Sequence, residues 1–442
     1  VPSPAEHPRH DAAFSGIPVR AELERTARSA RNRGRATIAL LLLVDVWLAW
    51  AFVTRATAAT LVTAGILLAL SLVAHVAWLV PFLGAPRTRL DRLGPSERVG
   101  RWSAGEVLRM MVELLQPHRD REQPNVYLTE GRYDGAYVVN SLFFDFIRPL
   151  NAVFVSRHLF RILRPIEIKA VLAHELAHFH RHIPLVSRTQ MPVVLLHTLA
   201  PVVLLDVARP GGLHGALLLW FGMLYVANRL RAAHVRRHSR TLEYLCDLQA
   251  AQRFGVLAVI NGLLGIAKTA EVALVVHYRL VEEIRRDDTL GLHHLPQLLR
   301  RIEDLLPDRP TTREQLETAI RTVLDSPETR TLRARQSDRS RRDEARAVER
   351  LTETLLANKK WDLVDWAGFD NVEPDGRVDA AEYPLLIDAL KTHAGRQLFA
   401  LPTDDAAAMA TGTHPTMRER ILFLETCRLE AARDPKLPAL RL

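Results

Sequence analysis

His174-Glu175-Leu176-Ala177-His178 is an H-E-x-x-H stretch set in a run with helical apolar spacing. One α-helical turn separates the two histidines, so both imidazoles project from one face and can grip a single Zn²⁺. Glu175 stands beside them as a candidate general base. Pro165 suits a first helical position, Ile166, Ala170, Val171, Ala173 and Ala177 supply the apolar packing, and Pro184 ends the segment. Taken alone, the pattern also fits an amphipathic helix with two solvated histidines, so the metal reading needs support from elsewhere in the chain.

The chain has 442 residues, enough for a sizeable core and more than one module. Its 59 Lys+Arg against 50 Asp+Glu leave a formal charge of +9. The basic residues are dispersed and no nucleic-acid-binding motif accompanies them, so no nucleic-acid partner is expected. Only Cys246 and Cys427 occur, far apart, which implies no disulfide framework and suits a reducing compartment.

Four apolar stretches bear on membrane insertion: residues 37–53, 58–82, 191–207 and 213–226. A span needs roughly 17–25 helical residues, which the first pair meets and the second approaches, a buried hairpin being its alternative. Asp45, His75 and His197 lie within these runs and are expected to face other helices. Arginines cluster before the first stretch, after the second and after the fourth, while each short connector carries one. That asymmetry places both termini and the H-E-x-x-H helix on the cytoplasmic side. The expected fold is α+β and predominantly helical: a polytopic plasma-membrane protein with four transmembrane helices, a lipid-bilayer partner and a cytoplasmic zincin-like catalytic domain.

A hydrolytic zinc site needs three protein ligands and one open position. If the helix continues, His180 points about 200° away from His178, and His182 sits about 6 Å farther along the axis. Neither is expected to bind the ion. Farther on, Glu243 and Asp247 in Ser239-Arg240-Thr241-Leu242-Glu243-Tyr244-Leu245-Cys246-Asp247 share one helical face. One can reach a metal while the other accepts the outer N–H of a ligating histidine; as a surface pair of acids they would do neither.

H-E-x-x-H, then a hydrophobic hairpin, then S-R-x-x-E-x-x-x-D resembles the HtpX-type membrane zinc metallopeptidases, with the CAAX prenyl endopeptidases as more distant relatives. The resemblance implies that Glu243 is the third zinc ligand and that Asp247 supports a ligating histidine. Ala152-Val153-Phe154-Val155-Ser156 alternates like the strand that family sets before its metal helix. Its N-A-[FY] substrate-binding edge signature corresponds to Gly135-Ala136-Tyr137, with Gly in place of Asn. Asn151-Ala152 reads like the same signature but falls on the following strand. Thr413-His414-Pro415-Thr416-Met417-Arg418-Glu419-Arg420-Ile421 resembles the family's T-H-P-x-x-x-x-R-I element. That likeness makes His414 a candidate oxyanion donor; without it, His-Pro is a helix entry and Arg418 and Arg420 are surface residues.

The family pattern leaves residues 259–404 unexplained. Arg333 to Arg350 alternates Arg with Asp and Glu like a solvated helix. Residues 371–382 resemble an EF-hand loop, with Asn371, Glu373, Asp375, Arg377 (through its carbonyl), Asp379 and Glu382 at the ligand positions and Gly376 at the turn. They form a candidate Ca²⁺ site, whose alternative is a loop that keeps its shape without the ion.

The chain thus divides into a basic N-terminal segment (1–35), hairpin 1 (36–84), a first catalytic part (85–186), hairpin 2 (187–228), the third-ligand helix (229–258), the insert (259–404) and a C-terminal catalytic element (405–442). The resemblance implies one Zn²⁺ per chain, a protein or peptide substrate, and an endopeptidase acting on membrane proteins at the cytoplasmic face in quality control. The alternatives are a signalling protease with one substrate and an inactive membrane scaffold.

Overall fold

The computed structural model describes residues 20–55, 87–116, 123–129, 135–140, 151–182, 239–286, 294–306, 313–334, 377–392 and 415–442, with a few isolated positions besides. Numbered in chain order, its strands are β1 (Arg87–Arg89), β2 (Arg98–Val99), β3 (Trp102–Ser103), β4 (Asn125–Thr129), β5 (Ala136–Asn140) and β6 (Asn151–Ser156). The helices are α1 (Arg20–Arg55), α2 (Ala104–Leu115), α3 (Leu159–Ile162), α4 (Pro165–Ala177), α5 (239–254), α6 (Val256–Arg286), α7 (Leu295–Leu305), α8 (Arg313–Leu324), α9 (Pro327–Ala334), α10 (Tyr383–Thr392) and α11 (Met417–Arg433).

Four strands form one mixed sheet in the order β1-β4-β6-β5. β4 and β6 run parallel, and β1 and β5 join them antiparallel, so that β5 is an edge among the described residues. Every residue of β6 is buried, although its sequence alternates like a half-exposed strand. The reason is cover on both faces. Val153 and Val155 enter the main core under α2 and α4, while Phe154 stacks between Tyr127 at 5.4 Å and Tyr137 at 4.9 Å on the other side.

α2 starts at a capping box, Ser103 accepting from the Glu106 amide and Glu106 accepting from the Ser103 amide. It buries Val107, Met110, Met111 and Leu114 as a stripe at helical spacing. α4 begins with Pro165 at its first position, where a missing N–H costs nothing. α5 stops at Gly255, whose φ of +93° suits a helix-ending glycine. α6 then starts against the chain's end, the Val256 amide donating to the Arg441 carbonyl.

α6 serves two cores. Val256, Ile260, Leu264 and Ala267 belong to the main one, with α4, α10 and α11. Val276, Leu280 and Ile284 join Leu298, Ile302, Leu316 and Ile320 of α7 and α8 in a second, purely helical one. Residues 377–392 also pack into the main core through Val378, Leu386, Ile387 and Leu390, so that part of the insert is continuous with the catalytic body.

The expected membrane architecture is corrected here. Among the described residues no helix is long and apolar enough to cross a membrane, which overturns the arrangement of four transmembrane helices. The 37–53 run is the apolar half of α1, continuous with an arginine-rich half that packs Leu23 into the main core. The same run buries Asp45 along with Leu48 and Ala51 on one side. A stretch of apolar residues records hydrophobicity but not what covers it, and here part of that surface is covered by protein. Most of 58–82, 191–207 and 213–226 lies outside the described residues.

Candidate metal centre

α4 and α5 bring the candidate donors together. His174 and His178, one turn apart, place their Nε2 atoms 3.1 Å from each other. Glu243 on α5 faces both, with Oε2 3.4 Å from His174 Nε2 and Oε1 3.3 Å from His178 Nε2. All three donor atoms lie within 4.8 Å of one another, and such a group could hold a metal ion. Two ligands each roughly 2.0–2.1 Å from one tetrahedral Zn²⁺ stand about 3.3–3.4 Å apart, so the separations suit that ion. The donor set, two imidazoles and one carboxylate, is a hydrolytic zinc set.

Asp247, one turn beyond Glu243, lies with Oδ1 2.9 Å from His174 Nδ1 and has no exposed side-chain surface. It occupies the place where a carboxylate fixes the tautomer of a ligating histidine. Burial disfavours charge on His174, Glu243 and Asp247, yet the two carboxylates stay ionised. For Glu243 the histidine contacts and Arg420 outweigh burial and hold its pKa well below the usual range. For Asp247 the Arg420 guanidinium, with His174, outweighs burial and lowers the pKa. At His174 burial works against protonation, but Asp247 and Glu243 outweigh it and raise the pKa to about 10. Glu175, partly buried on the same helix, has its pKa raised by burial, with the two imidazoles pulling the other way.

After Ala177 the chain passes into a π-helical turn over His178–His182. The α-helical geometry expected for His180 and His182 does not apply in a wider turn. His180 is not in the donor group and meets the Phe179 ring edge-on at 5.2 Å; the His182 side chain lies outside what is described.

Gly135, Ala136 and Tyr137 lead into the edge strand β5. The Gly135 carbonyl accepts from the Ser156 amide, its φ is +60°, and Tyr137 is partly exposed against Phe154. Asn151 opens β6 instead and is buried.

The described part of the EF-hand-like loop is built for another purpose. Asp379 Oδ1 accepts from the Ala381 and Glu382 amides, and Glu382 Oε2 accepts from the Asp379 amide, which together cap α10. Asn261 exchanges two hydrogen bonds with Val378, and Arg377 Nε donates to Glu167 Oε1 at 2.8 Å. Calcium finds no support in this arrangement, because both described carboxylates already serve backbone amides. Asn371, Glu373 and Asp375 lie outside the described residues, as does His414.

Arg420 was missed as a functional residue. The alternative that left it on the surface is set aside: it is largely buried and donates to both Asp247 oxygens, Nε to Oδ2 at 2.7 Å and Nη2 to Oδ1 at 2.6 Å. The available signal was its neighbourhood. Ile421, Leu422, Phe423 and Leu424 follow it directly, and a cation next to so apolar a run needs an acidic partner inside.

An H-E-x-x-H helix against a mixed sheet, with a carboxylate from a later helix completing a candidate donor set, is an arrangement suited to a metallopeptidase. The model of peptidase family M48 matches residues 138–428, well over half of the chain. The chain belongs to that family, whose members are metallopeptidases that use zinc. No curated protein and no solved structure matches it.

Proposed function

We propose that this chain is an HtpX-type zinc endopeptidase in which His174, His178 and Glu243 hold the ion. The observation that carries the reading is the convergence of these three side chains, from two helices far apart in sequence, within 4.8 Å. Zinc, when bound there, supplies a Lewis acid and lowers the pKa of coordinated water toward neutrality. Glu175 takes the proton from the attacking water and returns it to the departing amine. Its upward-shifted pKa brings it nearer the range in which a carboxyl can do both. Asp247 holds the His174 ring through Nδ1. His414 donates to the developing oxyanion, a role supported by the T-H-P-x-x-x-x-R-I match.

Substrate binds extended along β5, by backbone pairing near Gly135, Ala136 and Tyr137. We place its substrates among membrane-associated proteins at the cytoplasmic face, in quality control. Support comes from α1, where Leu43, Val46, Trp47, Trp50 and Val53 are exposed beyond an arginine-rich stretch. Two free, buried cysteines agree with a reducing face.

Glu175→Gln against wild type tests the mechanism, with casein cleavage and zinc content measured on both. The expected result is zinc retained with proteolysis lost. Equal proteolysis in the variant would remove Glu175 from the reaction, and zinc absent from both would remove the donor set.

A further inference from the structure

Asp247 is a fully buried carboxylate whose Oδ1 serves two partners at once. His174 Nδ1 approaches it at 2.9 Å and Arg420 Nη2 at 2.6 Å. Arg420 Nε holds the other oxygen at 2.7 Å, so the guanidinium grips the carboxylate as a two-pronged fork. A fork of that kind fixes the carboxylate plane as well as its position, which a single hydrogen bond does not. The plane of Asp247 in turn sets how Oδ1 meets the imidazole, and thereby which ring nitrogen faces the donor group.

The arginine itself is held by the body of the protein. Thr416 caps α11 by accepting from the Glu419 amide, Glu419 pairs with Arg240 on α5 at 2.8 Å, and Phe423 packs on Tyr244 at 4.7 Å. Arg420 thus enters along α5 beside the turn that carries Glu243 and Asp247. Its Nη1 lies 3.6 Å from Glu243 Oε2. Charge points the same way. Glu175, Glu243 and Asp247 surround two imidazoles, so a divalent ion leaves one negative charge over, and Arg420 balances it.

We infer that Arg420 is a positioning residue of the metal centre, acting through Asp247 to orient His174, so that the C-terminal helix is part of what gives the site its affinity for the ion. The inference rests on the reading of His174, His178 and Glu243 as zinc ligands.

The test measures zinc affinity of the purified full chain by competition with a chromophoric chelator, alongside the visible spectrum of the Co²⁺-loaded protein. Arg420→Lys keeps the buried charge and loses the fork. It is expected to retain the far-ultraviolet circular dichroism of wild type, to weaken zinc binding by about tenfold or more, and to shift the cobalt bands. Arg420→Met alone leaves the buried Asp247 charge without its cation and with His174 as its remaining partner, so it is made together with Asp247→Asn and compared with Asp247→Asn by itself. If Arg420 acts through Asp247, the two differ by less than about threefold in affinity. Zinc affinity of Arg420→Lys within about twofold of wild type, with an unchanged cobalt spectrum, would overturn the inference and leave the ligand assignment standing. So would a further tenfold loss on adding Arg420→Met to Asp247→Asn. A wild-type chain that binds no zinc would overturn both.

Discussion

Arg377 ties the EF-hand-like part of the insert to the first turn of α4, and its removal should cost more than its position far along the chain suggests. Its Nε donates to Glu167 Oε1 and its Nη2 to the Ile162 carbonyl, both at 2.8 Å. The Glu167 side chain is 4% exposed and that of Arg377 17%, so the pair is shielded from solvent on both sides. Removing one partner of a buried pair costs roughly 3–5 kcal/mol, mostly from the charge left behind. Glu167 keeps one partner, because its Oε2 also accepts from the Arg164 amide at 2.7 Å. Arg377→Met should therefore fall near the lower bound, about 3 kcal/mol. Followed by urea unfolding, that is a fall in the midpoint of about 1 M or somewhat less, because the slope grows with the size of the chain. Adding Glu167→Gln removes the stranded charge and leaves an amide oxygen for Arg164. The double variant should then recover all but about 1 kcal/mol, the remainder being the lost bond to Ile162. A cost below about 1 kcal/mol for Arg377→Met, or a double variant as unstable as the single, would refute the reasoning.

Gly100 sits at φ +64°, and a Cβ there would stand 2.6 Å from the Phe160 backbone, so Gly100→Ala should destabilise by about 3 kcal/mol or more in the same unfolding assay. Chelation with 1,10-phenanthroline should abolish casein cleavage and added Zn²⁺ should restore it; cleavage that survives removal of the metal would contradict a metallopeptidase. Burial pushes the Cys246 thiol well above its usual range and Cys427 up to about 12, so at pH 8 both stay protonated. A disulfide reagent should label neither thiol in the native chain and both in denaturant. His414→Ala should lower kcat by about 100-fold or more while zinc content stays unchanged, read from steady-state cleavage of a peptide substrate.

What the amino-acid order determined by itself lies within single helices. One turn between His174 and His178, one turn between Glu243 and Asp247, and Pro165 at a helix start follow from helical geometry, which needs no knowledge of the rest of the molecule. The strand at β6 was visible too, though its burial on both faces was not, since the aromatic cover comes from β4 and β5. The assignment of Glu243 to the ion and Asp247 to the ring depended on likeness to a family, because spacing treats the two acids alike. Only the tertiary structure decided which surfaces cover one another. It made Arg420, a motif residue with no role read from the sequence, the partner of a buried carboxylate, put Asp379 and Glu382 to work as a helix cap, and packed one end of α1 into the core. The physical reason is that hydrogen bonds and burial between distant segments depend on chain closure and packing, which leave no periodic trace in the residues they join.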